Sequence, residues 1–300
     1  MSLYKYELEP WDGKDSRHTC PNCRSPHEFS RYIDTDTGDI LSLDVGKCNR
    51  ENKCGYHYPP KQYFADNGIK PNPKGRHLIK PLQQSRPIDY IEDTVLINSL
   101  TKYDENSFLK YLHIILKNPT LVEQLAHVYK IGTSSQYGIG TTIFWQVDSE
   151  GKVRTGKLIK FDETGHRMKN CIGWVHSASH LENFNLKQCL FGEHLLKEDL
   201  DSPVGIVESE KTAVIMCAEE PSILWLACGG AEGLSYDKVK LLRGRNVTLF
   251  PDASIEGKTF NKWKHKAKEF GFELDNFLEN HVSEEQKEEG VDLADLIVEF

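Results

Sequence analysis

Pro203-Val-Gly-Ile-Val-Glu-Ser-Glu-Lys-Thr-Ala-Val-Ile-Met216 is the stretch on which the fold turns. Val204 to Val207 is a short apolar run, as a strand buried on both faces requires. A turn follows, then a helix starting near Lys211. Glu208 stands where the strand ends. A second run of the same kind, Asn246-Val-Thr-Leu-Phe-Pro-Asp252, also ends in an acid. In open α/β sheets ligands gather at the carboxyl ends of the strands. If the two strands are parallel neighbours, Glu208 and Asp252 converge on one edge. Two carboxylates there are hard oxygen ligands suited to Mg²⁺ or Mn²⁺.

The same stretch admits another reading. Gly205-x-x-x-x-Glu210-Lys211-Thr212 is a P-loop spacing with Glu in place of the second Gly. A P-loop wraps its backbone N–H groups around phosphate. Glu210 adds a negative charge and a Cβ to that loop, which argues against an NTPase cradle. Capping of the helix N-terminus by Glu208 or Glu210 is the plainer alternative.

Around this stretch β and α units alternate. Helix 211–220 leads to strand Ile223 to Cys228. Helix Tyr236 to Leu242 leads to strand 247–252, and helix Thr259 to Phe270 to strand Phe272 to Phe277. Such alternation predicts a parallel α/β sheet over residues 201–300.

The N-terminal end carries different chemistry. Cys20-Pro-Asn-Cys23, Cys48 and Cys54 give C-x2-C-x24-C-x5-C. Two cysteine pairs separated by a strand-rich insert suit one structural Zn²⁺ with four thiolate ligands. His18 and His57 lie near enough in sequence to replace a cysteine, which leaves the ligand set open. The insert reads as a hairpin: Glu28 to Asp34, a turn at Thr37-Gly38-Asp39, then Ile40 to Val45. Residues 1–65 are therefore expected to form a zinc ribbon. Arg31, Tyr32 and the aromatics from Tyr56 to Tyr58 are candidates for stacking on bases and meeting phosphates. Bracing of a small domain is the other reading of those rings.

Pro-, Gly- and Lys-rich residues 66–87 read as a linker. From Lys61 to Arg86 six cations face one acid, Asp66. A phosphate-contacting arm and a solvated linker both fit. Residues 88–200 open with three apolar stripes at helical spacing, around Ile91–Leu100, Phe108–Leu116 and Leu121–Val128. A hairpin follows, Thr141 to Asp148 and Val153 to Phe161, joined by a Ser149-Glu-Gly-Lys turn. Lys157, Lys160, Arg167 and Lys169 make this section basic.

The chain has 300 residues and a net charge of −8, against a generally sticky nucleic-acid binder. No apolar run is long enough for a membrane span, and no signal-peptide pattern opens the chain, so the cytoplasm is the expected compartment. Four further cysteines, from Cys171 to Cys228, sit in apolar settings and read as core residues.

The C-terminal part resembles a Toprim domain, the metal-binding module of bacterial primases and of type IA and II topoisomerases. Glu208 matches its first acid. Its Asp-x-Asp appears as Asp252-Ala253-Ser254, with only the first Asp kept. Val291-Asp292-Leu-Ala-Asp295 resembles a late Asp-rich segment of primases. The 141–161 hairpin resembles the subdomain that precedes Toprim in primases. With the ribbon in front, the chain is similar to primase-like proteins of bacterial mobile elements of the Bacteroides type. The resemblance implies Mg²⁺ held by Glu208, Asp252 and Ser254, with Glu256 as the replacement carboxylate. It implies phosphate contacts from Lys157, Lys160, Arg167, Lys169 and Lys211. It implies single-stranded DNA or a primer-template as partner, with a replicative helicase alongside. A binding-only relic and a metal-dependent nuclease are the alternatives.

Overall fold

The computed structural model describes residues 5–35, 37–68, 87–181 and 183–298. The chain divides into two compact units, Met1–Gln84 and Ser85–Phe300. Most of the expected linker and basic segment, residues 69–86, lies outside the described residues.

The first unit is an antiparallel sheet in the order β1-β2-β3-β4, with β1 Tyr6–Leu8, β2 Phe29–Asp34, β3 Gly46–Cys48 and β4 His57–Tyr58. The expected hairpin is only half present. Phe29–Arg31 pairs with Gly46–Cys48, and the expected return strand Ile40–Val45 is reduced to one bridge between Ile33 and Ile40. The Ser42 hydroxyl donates to Asp44 Oδ1 over 2.5 Å, and that local bond favours a turn over an extended strand. Pro60 opens helix α1, Pro60–Asp66, because its missing N–H costs nothing in a first helical turn.

The second unit begins with helices α2 Asp93–Ser99, α3 Ser107–Leu116 and α4 Pro119–Val128. Each of the last two starts on an Asn. Asn106 accepts from the N–H groups of Phe108 and Leu109 at 3.1 and 3.2 Å, and Asn118 from Leu121 at 3.2 Å. Asn118-Pro119 thus separates two helices by starting the second. An antiparallel sheet follows in the order β5-β6-β7-β8, with β5 Ile131–Ser134, β6 Thr141–Val147, β7 Val153–Phe161 and β8 Arg167–Trp174. A single turn of helix, α5 Val175–Ala178, closes it. All of β6 is buried, because apolar clusters cover both faces of the sheet: Phe144, Ile159 and Phe161 on one, Ile143, Trp145 and Leu158 on the other.

The remaining elements are β9 Val204–Val207, α6 Glu210–Glu219, β10 Leu224–Ala227, α7 Tyr236–Val239, β11 Val247–Leu249, α8 Lys258–Phe270 and β12 Glu273–Leu274. Three helices end the chain: α9 Phe277–His281, α10 Glu284–Glu289 and α11 Leu293–Val298. The strands form a parallel sheet in the order β10-β9-β11-β12. The expected α/β sheet is there. Residues 88–200 and 201–300 share one core, in which Phe108, Leu112, Tyr129 and Phe144 pack with Val207, Ala213, Ile215 and Trp225. Gly205 lets that core close: a Cβ there would lie 2.6 Å from the Trp225 ring. Among the described residues no helix is long and apolar enough to cross a membrane.

Candidate functional site

In the first unit, Cys20 and Cys23 come from the turn before β2, Cys48 ends β3 and Cys54 follows it. Their four sulfurs lie within 4.8 Å of one another, with Cys20–Cys54 at 3.7 Å and Cys23–Cys48 at 3.9 Å. A zinc ion with about 2.3 Å bonds to four thiolates places the sulfurs roughly 3.8 Å apart, so this donor set fits structural Zn²⁺. Neither histidine joins it. His18 Nε2 meets Glu9 at 2.8 Å, and His57 Nε2 meets the Tyr32 hydroxyl at 3.0 Å.

The ribbon aromatics largely brace one another. Tyr32 stacks on His57, Tyr56 packs against Phe29, and the Tyr58 hydroxyl donates to Asp66. Arg31 keeps a buried Nε with no partner among the described residues.

In the second unit β9 and β11 are parallel neighbours, with Val204 opposite Val247 and Ile206 opposite Leu249. That register brings Glu208 and Asp252 to one edge, and the Asp252 N–H donates to Glu208 Oε1 at 3.1 Å. A third carboxylate joins them: Asp292, which lies just before α11 and is 6% exposed. Its place is set by the Thr212 hydroxyl, donating to Oδ2 at 2.6 Å, and by the N–H groups of Ala294 and Asp295, donating to Oδ1 at 2.8 and 3.1 Å. Burial pushes the Glu208 carboxyl up to about 7, and Asp292 adds to the rise. Burial, then Glu208 and Asp292, push Asp252 well above the usual carboxylate range. Arg167 opposes both shifts. Burial and the repulsion of neighbouring acids thus hold Glu208 and Asp252 above the usual carboxylate range, with Asp292 contributing to both.

Of the two other expected ligands, one makes a local bond and the other is exposed. The Ser254 hydroxyl accepts from Thr259 N at 2.8 Å and so helps start α8. Glu256 is exposed, on a left-handed turn with φ of 56°, while Asp292 takes the buried place beside the other acids.

The expected phosphate contacts separate likewise. Lys157 is 7% exposed and donates to both oxygens of Glu210, at 2.9 and 3.2 Å. Its ammonium is a tie between β7 and α6, closed to phosphate. Lys160, one step out of phase on β7, turns to the opposite face and donates to the Ile139 carbonyl. Lys211 pairs with Asp295 at 3.0 Å. Arg167 and Lys169 are exposed on β8, and Arg167 lines a cavity of about 340 Å³ with Tyr111, Gly165, Lys211, Asp252 and Asp292. The geometry does not favour the P-loop reading: Gly205 lies inside β9, and the Glu210 carboxylate is bound to Lys157.

Asp292, named in the sequence only as part of a primase-like Asp-rich segment and given no role there, and Tyr111, not singled out at all, are the further candidates. The signal for the first was the Asp292-x-x-Asp295 pair set among apolar residues.

Comparison with known families finds two matches. The model of a zinc beta-ribbon finger family matches residues 4–69, and that of the Domain of unknown function (DUF6371) matches residues 106–253. No curated protein matches the chain. Among solved structures, the primase fragment of the bacteriophage T7 primase-helicase protein is similar at 11% identity and a TM-score of 0.38, covering 86% of this chain and 88% of that one. The zinc-binding and RNA polymerase domains of the Aquifex aeolicus primase are similar at 14% identity and a TM-score of 0.33, covering 86% and 70%.

Proposed function

We propose that this chain is a primase-like, metal-dependent nucleotidyl-transfer protein acting on single-stranded DNA. The observation that supports it most is the convergence of Glu208 and Asp252 at the carboxyl edge of a parallel sheet, with Asp292 near enough to raise both. These three would hold Mg²⁺ or Mn²⁺. The ion would supply charge neutralisation and orientation for substrate phosphates. Arg167, exposed and without an ion-pair partner among the described residues, is the phosphate contact, with Lys169 further along the same strand. The cysteine cluster keeps the ribbon folded through Zn²⁺, and Arg31 and Tyr32 are its nucleic-acid contacts. Replication or transfer of a mobile element, beside a replicative helicase, is the setting that the sequence resemblance implies.

The third carboxylate favours a competent site over a binding-only relic. The test is a templated assay of the full chain with ribonucleotides and Mg²⁺ or Mn²⁺. Oligonucleotide synthesis that Asp252→Asn abolishes supports the reading. Cleavage of the template in its place would make the protein a nuclease. Neither product, with no Mn²⁺ binding in calorimetry, would leave the relic.

A further inference from the structure

The cavity beside the acids has a hydroxyl left open by its neighbours. Three hydroxyl-bearing residues line it: Tyr111, Thr164 and Ser209. The Ser209 hydroxyl accepts from Thr212 N at 3.3 Å, and Thr164 donates to Asp162 at 2.7 Å. Tyr111, on α3 and 7% exposed, has no hydrogen-bond partner for its hydroxyl among the described residues. Gly165, in the turn between β7 and β8, lies over the hydroxyl end of the ring. A Cβ there would stand 2.5 Å from Tyr111 Cζ and 2.6 Å from both Cε atoms, and the backbone adopts φ of +79°. The turn therefore clamps the ring and holds its hydroxyl against the cavity wall.

We infer that Tyr111 reads the sugar of a nucleotide in this cavity, exchanging a hydrogen bond with a ribose hydroxyl. The neighbours restrict the choice. Lys211, Asp295 and Asp292 all act on the phenol, and the two acids together set negative charge against a bare phosphate at that point. Gly165 covers the face of the ring, which removes it as a platform for a base. Lys211 is already paired with Asp295. A neutral hydroxyl that both donates and accepts remains, and burial keeps the phenol protonated. In a nucleotide the sugar is the group next to the phosphate that a cation on the acids would meet. This assignment rests on the nucleotide reading above and adds sugar selection to it.

The test is calorimetry on the full chain with Mn²⁺ and, in turn, ATP, 2′-deoxyATP and 3′-deoxyATP, for the unaltered protein and Tyr111→Phe. The substitution should weaken ATP about five- to tenfold, the worth of one hydrogen bond. It should leave the analogue that lacks the recognised hydroxyl within about twofold, because that analogue never made the bond. Mn²⁺ affinity without nucleotide should be the same for both proteins. Equal weakening of ATP and both analogues, or weakening of none, would overturn the assignment and leave the metal site standing. Mn²⁺ binding with no nucleotide binding to the unaltered chain overturns it too. Loss of Mn²⁺ binding in the unaltered chain would remove the underlying reading as well.

Discussion

The Thr212 hydroxyl donates to Asp292 Oδ2 over 2.6 Å, across 80 residues of sequence. Through that bond α6, which follows Glu208, aims the acid that precedes α11. Asp292 also receives two backbone N–H bonds, so three donors fix its carboxylate. Substitution of Asp292 by Asn should therefore weaken Mn²⁺ binding by more than the loss of an aiming partner does. Thr212→Val should cost on the order of 10- to 100-fold, as outer partners of metal ligands do. Calorimetry on the three proteins checks both the sign and the order.

Metal binding and stability should depend on pH in opposite directions. The Glu208 carboxyl rises from an ordinary value near 4.5 to about 7 in the folded chain. A carboxyl raised by folding contributes stability that is complete below its unfolded value. That contribution is lost as pH climbs through the folded one. Without metal, the second unit should lose up to about 3 kcal/mol between pH 4.5 and 7 and level off above. Asp252 shifts in the same direction. Divalent cations need the ionised form, so their affinity should rise over the same window. Glu208→Gln should flatten the metal-free profile in thermal denaturation. A metal-free chain that gains stability from pH 5 to 7 would contradict this account.

The cysteine cluster should hold one zinc per chain, measurable by elemental analysis. The ribbon has little else inside it, a core of Cys20, Phe29 and Cys48 with a few flanking side chains. Cys20→Ser in the full chain should abolish the zinc and unfold the first unit. The melting of the second unit should stay unchanged, because its cores contain no ribbon residue.

Lys157 and Glu210 form a buried ion pair between β7 and α6. Removal of one charge leaves the other buried and unpaired, a loss of about 3–5 kcal/mol. Lys157→Met alone should lower the melting temperature strongly. The double change Lys157→Met with Glu210→Gln should recover most of it. If Lys157 served phosphate instead, the single change would weaken DNA binding and leave stability intact.

Much of this architecture was legible in the residues. The apolar runs at Val204 and Val247, each followed by an acid, announced a parallel sheet with Glu208 and Asp252 at its edge. Period-2 patterning announced β6 and β7, and cysteine spacing announced the ribbon's metal. These signals are local: a strand's faces and a ligand pair's separation lie within a few neighbouring residues. Strand β8 was missed because its side chains are mostly exposed and carry no apolar alternation. The return strand in the ribbon was over-read, since the alternation from Ile40 is outweighed by a local Ser42–Asp44 bond.

The sequence by itself determined the alternating elements of the parallel sheet, the cysteine pairs of the zinc cluster and two of the three clustered acids. The tertiary structure alone decided the third, because Asp292 reaches the site only when α11 packs on α6. It alone decided that Lys157 is a buried tie and Arg167 an open cation, though both are cations in the same basic stretch. The charge of a residue is written in its identity, but whether that charge is spent depends on which carboxylate the packed chain sets beside it.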